Sequence, residues 1–289
     1  MMDDSGEIRK RVLAVKEVGV LPQIAVEIEE AAQDELGSIL NIEELVRSDI
    51  SLSAMVLKMA NSAYYGRPGS VASVGAAVAA LGLEEVTLLA LGVGTLDPLE
   101  AGPGDRGFDL VEFWVHSFSV SWLAAKLALT SGQGDPAEAA SAALLHDLGK
   151  LVILTRLKPE GELLRRYLLE GRDYYQAEFL AGLDHATIGY WLARKWGLPE
   201  GITRPIRDHH RVDPENGISP ATALVILANG LAKSLGFGLV HQEREAPIRA
   251  ALAAVNLTAS ELKPLARKAE EELPPIVGRW RRLLSQGEG

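Results

Sequence analysis

The sequence predicts an all-α protein, and three observations predict it. Ala, Leu and Val abound while aromatic residues make up only 6% of the chain, a balance that favours helices over sheets. Apolar residues recur three and four positions apart through most of the chain. No segment alternates apolar and polar residues over a strand's length, and no repeat of 20–50 residues occurs. At 289 residues, with 47% hydrophobic and 24% charged, the chain can bury a large core and form two packed units.

In the first part, Pro22–Glu35 carries Ile24, Ile28, Ala31 and Ala32 on one helical face. Ile42–Arg47 follows. Asp49–Ser62 places Leu52, Val56, Met59 and Ala60 at helical spacing. The run Tyr64–Gly69 breaks the pattern and reads as a loop. Val71–Leu81 is built from small residues and stops at Gly82. Glu84–Leu96 opens with acidic residues, which favour a helix N-terminus. The boundary is Asp97–Gly107, rich in Pro, Gly and charge. Gly102, Gly104 and Gly107 formally spell G-x-G-x-x-G, but no strand precedes them, so the segment reads as plain linker. Longer helices are expected beyond it: Leu110–Leu129, Pro136–Leu157, Pro159–Glu170, Tyr174–Ala181, His185–Trp196, Pro199–His209 and Pro220–Leu235, then shorter ones to the end. Pro136, Pro159, Pro199 and Pro220 suit first-turn positions.

The net charge is −10, which argues against general nucleic-acid binding. Residues 1–105 carry 7 basic and 17 acidic residues, whereas residues 106–289 carry 22 of each. That asymmetry suggests units spanning 1–105 and 106–289. The absence of cysteine excludes disulfides, thiol nucleophiles and cysteine-ligated metal centres. The polar start MMDDSGEIRK is no signal peptide. The uncharged stretches Pro68–Leu83 and Gly217–Ala232 are too short to span a bilayer. A cytoplasmic location without membrane contact is expected.

Five of the six histidines lie between residues 116 and 210: His116, His146, His185, His209 and His210. Each alone would be an ordinary core or surface residue. Together they are offered by four separate helices, which is how helical bundles build metal sites. In Leu144–Lys150, LLHDLGK, His146 and Asp147 offer a neutral nitrogen and an anionic oxygen to one ion. Lys150 could stabilise phosphate or developing charge. Glu112 precedes His116 by four residues and shares its helix face. His209 and His210 point about 100° apart on a helix, so both reach one cluster only near the helix end. His241 reads as structural or surface. Tyr64 and Tyr65 read as packing aromatics, with a partner-binding patch as the alternative. Trp114, Trp122, Trp191 and Trp196 read as core.

The ordered motifs LPQIAVEIEEAA, ANSAYYG, FWVHS, LLHDLGK, EFLAGLDHATIGYWLARKWGLP and IRDHH resemble the HDOD (HD-related output domain) family from about residue 20 to about residue 235. The resemblance implies an N-terminal helical bundle packed on a C-terminal bundle similar to the HD metal-dependent phosphohydrolases. Many HDOD proteins have lost their metal ligands and act as bacterial signalling outputs. The related HD-GYP phosphodiesterases of cyclic di-GMP use a Glu/His, His-Asp, His, His-His and Asp set around two or three metals, often iron. On that pattern Glu112, His116, His146, Asp147, His185, His209 and His210 match metal ligands, and Lys150 matches the motif lysine. Asn229 stands where the last aspartate is expected. Asn keeps an oxygen but loses the charge. No Gly-Tyr-Pro loop follows the His-His pair.

Three functions follow. The leading one is a signalling or regulatory module that retains its metal site, with other signalling proteins as partners, a nucleotide as possible ligand, and little or no catalysis. Its cofactor would be two divalent ions, iron first, with manganese, nickel or zinc as alternatives. The second is a metal-dependent phosphohydrolase acting on a nucleotide or cyclic dinucleotide, with Asp147 and Lys150 as catalytic residues. The third is a metal-free scaffold.

Overall fold

The structure is a computed structural model. It describes residues 4–16, 24, 27, 28, 31, 39–62, 69–92, 109–212, 217–237 and 247–285. Every regular element among them is an α-helix. In the first part these are α1 (Asp4–Ala14), α2 (Ile39–Arg47), α3 (Ile50–Ala60), α4 (Val74–Leu81) and α5 (Leu83–Gly92). Then come α6 (Leu110–Ser131), α7 (Pro136–Leu144), α8 (Leu148–Arg156), α9 (Lys158–Leu169), α10 (Tyr174–Leu180), α11 (His185–Lys195) and α12 (Glu200–Asp208). The last three are α13 (Pro220–Ser234), α14 (Ile248–Ala254) and α15 (Leu262–Ser285).

Local chemistry sets the helix starts. Asp49, Ser73, Asp109, Asp135, Asp173, Asp184 and Ser219 each accept a backbone N–H of the first turn through a side-chain oxygen. Such caps satisfy donors that the helix itself cannot. Pro136 and Pro220 sit in first turns as expected, but Pro199 is the residue before α12.

The long helix α6 packs on α7, α13 and α15, while α8 crosses α11 and α11 packs on α12. In the first part α2, α3, α4 and α5 pack together, and α4 also meets α7. Val74 N donates to Ser141 Oγ across that contact at 3.0 Å. Apolar side chains from Ile8 to Leu273 join one core cluster.

Two expectations need correction. Pro136–Leu157 is two helices, broken at Leu145–Asp147. Lys150 N donates to Asp147 O, so a new helix starts at the break. The C-terminal part is not only short helices, since α15 runs 24 residues with Pro274 and Pro275 inside it. Leu265, Ala269, Leu273 and Val277 form its buried stripe, while both prolines face solvent. Burying that stripe outweighs hydrogen bonds lost on the wet side. The polar N-terminus holds α1, whose Ile8 and Val12 are buried and which packs on α11. Arg11 pairs with Glu160, and Lys195 Nζ donates to Val15 O at 2.8 Å.

Of Pro22–Glu35, Ile24 and Ile28 are buried and helical as expected, and the remainder lies largely outside the described residues. So do Tyr64, Tyr65, the Asp97–Gly107 segment and His241.

Candidate metal centre

His116 comes from the second turn of α6, and His146 and Asp147 from the break between α7 and α8. His185 opens α11, and His209 and His210 follow the end of α12. These six side chains are at most 8% exposed. They form two groups that share Asp147: His116, His146 and Asp147, and Asp147, His185, His209 and His210. Within each group the candidate ligand atoms lie within 4.8 Å of one another.

Asp147 stands at the N-cap position of α8, yet its side chain makes no cap hydrogen bond. Its carboxylate turns inward instead. Oδ2 accepts from Lys150 Nζ at 2.7 Å and lies 3.3 Å from His146 Nε2. Oδ1 lies 3.2 Å from His185 Nε2 and 3.5 Å from His209 Nε2. His116 Nε2 stands 3.9 Å from Oδ2.

The outer ring nitrogens explain this orientation. His116 Nδ1 meets Phe237 O at 2.7 Å, His146 Nδ1 meets Ala143 O at 2.7 Å, and His209 Nδ1 meets Ile206 O at 2.9 Å. A carbonyl oxygen only accepts, so each Nδ1 must carry the proton. In the neutral ring Nε2 then presents a lone pair to the centre. Nε2 of His185 lies 3.2 Å from that of His209 and 3.3 Å from that of His210. His146 Nε2 and Asn229 Oδ1 are buried without a hydrogen-bond partner among the described residues. The Nε2 lone pairs of His116, His146 and His209, turned onto one carboxylate away from water, are costly unless a cation satisfies them. The donor set of five imidazoles and one carboxylate fits iron, nickel or zinc.

Glu178 on α10 was missed by sequence reasoning. Both its oxygens lie 2.9 Å from His185 Nδ1, and Oε1 also accepts His185 N at 2.9 Å. It is a buried acid on the Tyr174, Ala177, Glu178 stripe of α10, and an acid in an apolar stripe was the available signal. Burial pulls the His185 pKa down, but the Glu178 charge and hydrogen bonds that the ring donates to Asp147 and Glu178 push it up to about 10. A carboxylate behind the ring makes Nε2 a stronger donor. Burial takes His209 the other way, to about 4, aided by its neighbours His146 and His185. Burial alone would raise Asp147. The adjacent His146 and Lys150, with a hydrogen bond from His185, instead hold it well below the usual carboxylate range. Lys150 Nζ also sits 4.8 Å from the centre of the Tyr174 ring.

Two further matched positions remain. Glu112 lies in the first turn of α6, half-buried, and belongs to neither group. Asn229 is buried on α13, a helix that packs against α6, α7 and α12, each of which ends at or carries cluster residues.

The HDOD domain family model matches residues 18–212. The chain belongs to the HDOD family. Among curated proteins, an uncharacterised protein from Treponema pallidum is 28% identical over 221 residues, 74% of this chain. This HDOD chain matches only 42% of that relative's length. Among solved structures, the MmoQ response regulator of Methylococcus capsulatus has a TM-score of 0.68 at 21% identity, covering 88% of this chain and 99% of that one. A virulence factor of Campylobacter jejuni has a TM-score of 0.69 at 17% identity, covering 93% and 98%. These likenesses show the shared HDOD-type fold. Among the described residues no helix is long and apolar enough to cross a membrane.

Proposed function

We propose that this chain is a bacterial, cytoplasmic signal-transduction module of the HDOD family that retains an HD-type metal site and turns over little or no substrate. One observation carries the proposal. A single buried carboxylate, Asp147, faces the Nε2 atoms of four histidines, all four of whose rings are anchored outward through Nδ1. That arrangement suits cation binding and has no evident use in packing.

His116, His146 and Asp147 would hold one divalent ion, and Asp147, His185, His209 and His210 a second. Iron is the first candidate, with manganese, nickel or zinc as alternatives. Bound there, such an ion supplies Lewis acidity and lowers the pKa of bound water. Weak catalysis is argued from charge: Asn229 is neutral, and Glu112 stands outside both groups. The response regulator that shares the fold supports a signalling role. Its partners would be other signalling proteins, and its small-molecule ligand a nucleotide.

The second reading, a metal-dependent phosphohydrolase, is favoured by Lys150. This buried cation beside Asp147 is suited to holding phosphoryl oxygens.

The test is elemental analysis of protein purified without added metal. Iron or another divalent ion should co-purify and be lost in Asp147→Asn. A folded parent protein without metal, unable to take it up, would refute the proposal. Rapid cleavage of a chromogenic phosphodiester by the metal-loaded parent would favour the phosphohydrolase.

A further inference from the structure

We infer that the cleft between α10 and the His209–Arg211 segment binds the phosphate of a small aromatic phosphomonoester, with Arg211 as its recognising cation. This rests on the metal reading above and names the ligand class of that site.

A cavity of about 200 Å³ opens there, lined among others by Tyr175, Phe179, Asp184, His185, His210 and Arg211. His185 and His210 belong to the cluster, and His210 is its most exposed member at 8%. The cleft therefore reaches the cluster at its most exposed member among these six. Pockets that take drug-sized ligands run from about 300 to 1,000 Å³. This one suits a phosphate group and a single ring better than the two joined nucleotides of a cyclic dinucleotide.

Charge selects an anion. A divalent ion on Asp147, His185, His209 and His210 keeps a net positive charge, because only Asp147 among them is anionic. The two carboxylates that line the cleft are already engaged. Glu178 is turned onto His185 Nδ1 and N. Asp184 accepts from Thr187 N and Thr187 Oγ1 and from Arg211 NH2 at 2.8 Å. The last contact holds Arg211 at the mouth without using its whole guanidinium. Arg211 Nε is buried and has no acceptor among the described residues. A guanidinium fork with donors to spare suits a phosphate oxygen pair.

The rim selects the organic part. Phe179 is 75% exposed and Tyr175 46%, both on the outer side of α10. Exposed rings beside an anion site offer a stacking surface to a planar group.

The experiment measures binding of phenyl phosphate and inorganic phosphate to the full-length, metal-loaded chain by titration calorimetry. Metal content is determined for every sample. Phenyl phosphate should bind more tightly than inorganic phosphate. Arg211→Gln should weaken both about tenfold or more, the effect of losing a charge-assisted pair. Phe179→Ser changes an exposed side chain and should fold normally. It should weaken phenyl phosphate about fivefold and leave inorganic phosphate unchanged. Metal-loaded parent that binds neither compound overturns the inference, as does Arg211→Gln binding like the parent. Equal loss of both ligands in Phe179→Ser overturns the stacking role. Failure of the parent to hold metal would instead count against the functional proposal above.

Discussion

Gly149 and His185 meet backbone to backbone. A Cβ placed on Gly149 would lie 1.9 Å from the His185 carbonyl oxygen and 2.8 Å from Gly189 N. A Cβ on Gly189 would in turn lie 2.9 Å from Gly149 N. Paired glycines thus let α8 and α11 cross in direct contact, beside His146 and Asp147 on one strand of chain and His185 on the other. The short distance from His185 Nε2 to Asp147 Oδ1 depends on that crossing.

Gly149→Ala should therefore push the two helices apart. Overpacking in a tight core costs about 1–3 kcal/mol, and a clash with backbone belongs at the upper end. The urea midpoint should fall and metal retention should drop with it. Gly201→Ala is the control, since a Cβ on Gly201 meets nothing within 4 Å. It lies in α12 and should be neutral or slightly stabilising through helix propensity. Equal behaviour of the two variants would refute the argument.

Glu178→Gln keeps the shape of the side chain and removes its charge. The His185 ring loses its anionic support but not its packing. Metal affinity should fall about 10–100-fold, as for other carboxylates behind a ligating histidine. Competition with a chromophoric chelator reads this directly, and the thermal midpoint of metal-free protein checks that the fold survives. An unchanged affinity would mean that Glu178 only caps the turn before α11.

Much of this was legible in sequence because periodicity and caps are local. Asp135 before Pro136 and Ser219 before Pro220 announce their helices within four residues. The histidines were legible as a set because they fall on separate helices in motif order. The break at Leu145–Asp147 was not, since the apolar pattern runs through it. Only tertiary contacts of His146 and Asp147 make the turn worthwhile. Glu178 was hidden for the same reason, its partner lying seven residues away across a turn.

The pH dependence of the metal-free protein follows from two histidines of opposite sense. His209 has its pKa lowered to about 4 from 6.5, so the unfolded chain binds the proton first. That contribution is intact above about 6.5 and is lost as pH falls toward 4, roughly 3 kcal/mol in all. His185 is raised to about 10 from 6.5, so its contribution is intact below about 6.5 and is lost as pH rises through 10. Urea midpoints measured with chelator should peak near neutrality or slightly below. His209→Gln should flatten the acid limb and Glu178→Gln the alkaline limb. Parallel curves for parent and variants would show that other groups set the profile.

Asn229→Asp tests whether the site lost a ligand. Asn229 is 1% exposed, its Oδ1 has no hydrogen-bond partner among the described residues, and its helix packs on the elements that carry His116, precede His146 and precede His209. A carboxylate there has no solvent and, without metal, no cation named among its contacts. Burying such a charge is costly, so the metal-free variant should be less stable than the parent. With metal the sign reverses, because a second anion offsets charge that Asp147 now balances alone. The variant should therefore gain more stability from metal than the parent does, and hold metal more tightly against chelator. A merely structural asparagine predicts a loss of stability that metal does not repair. Hydrolysis of cyclic di-GMP read on the same samples divides the two functional readings. Activity in the variant alone marks a catalytic site retired by one charge, whereas brisk activity in the parent would make the chain a phosphodiesterase despite Asn229.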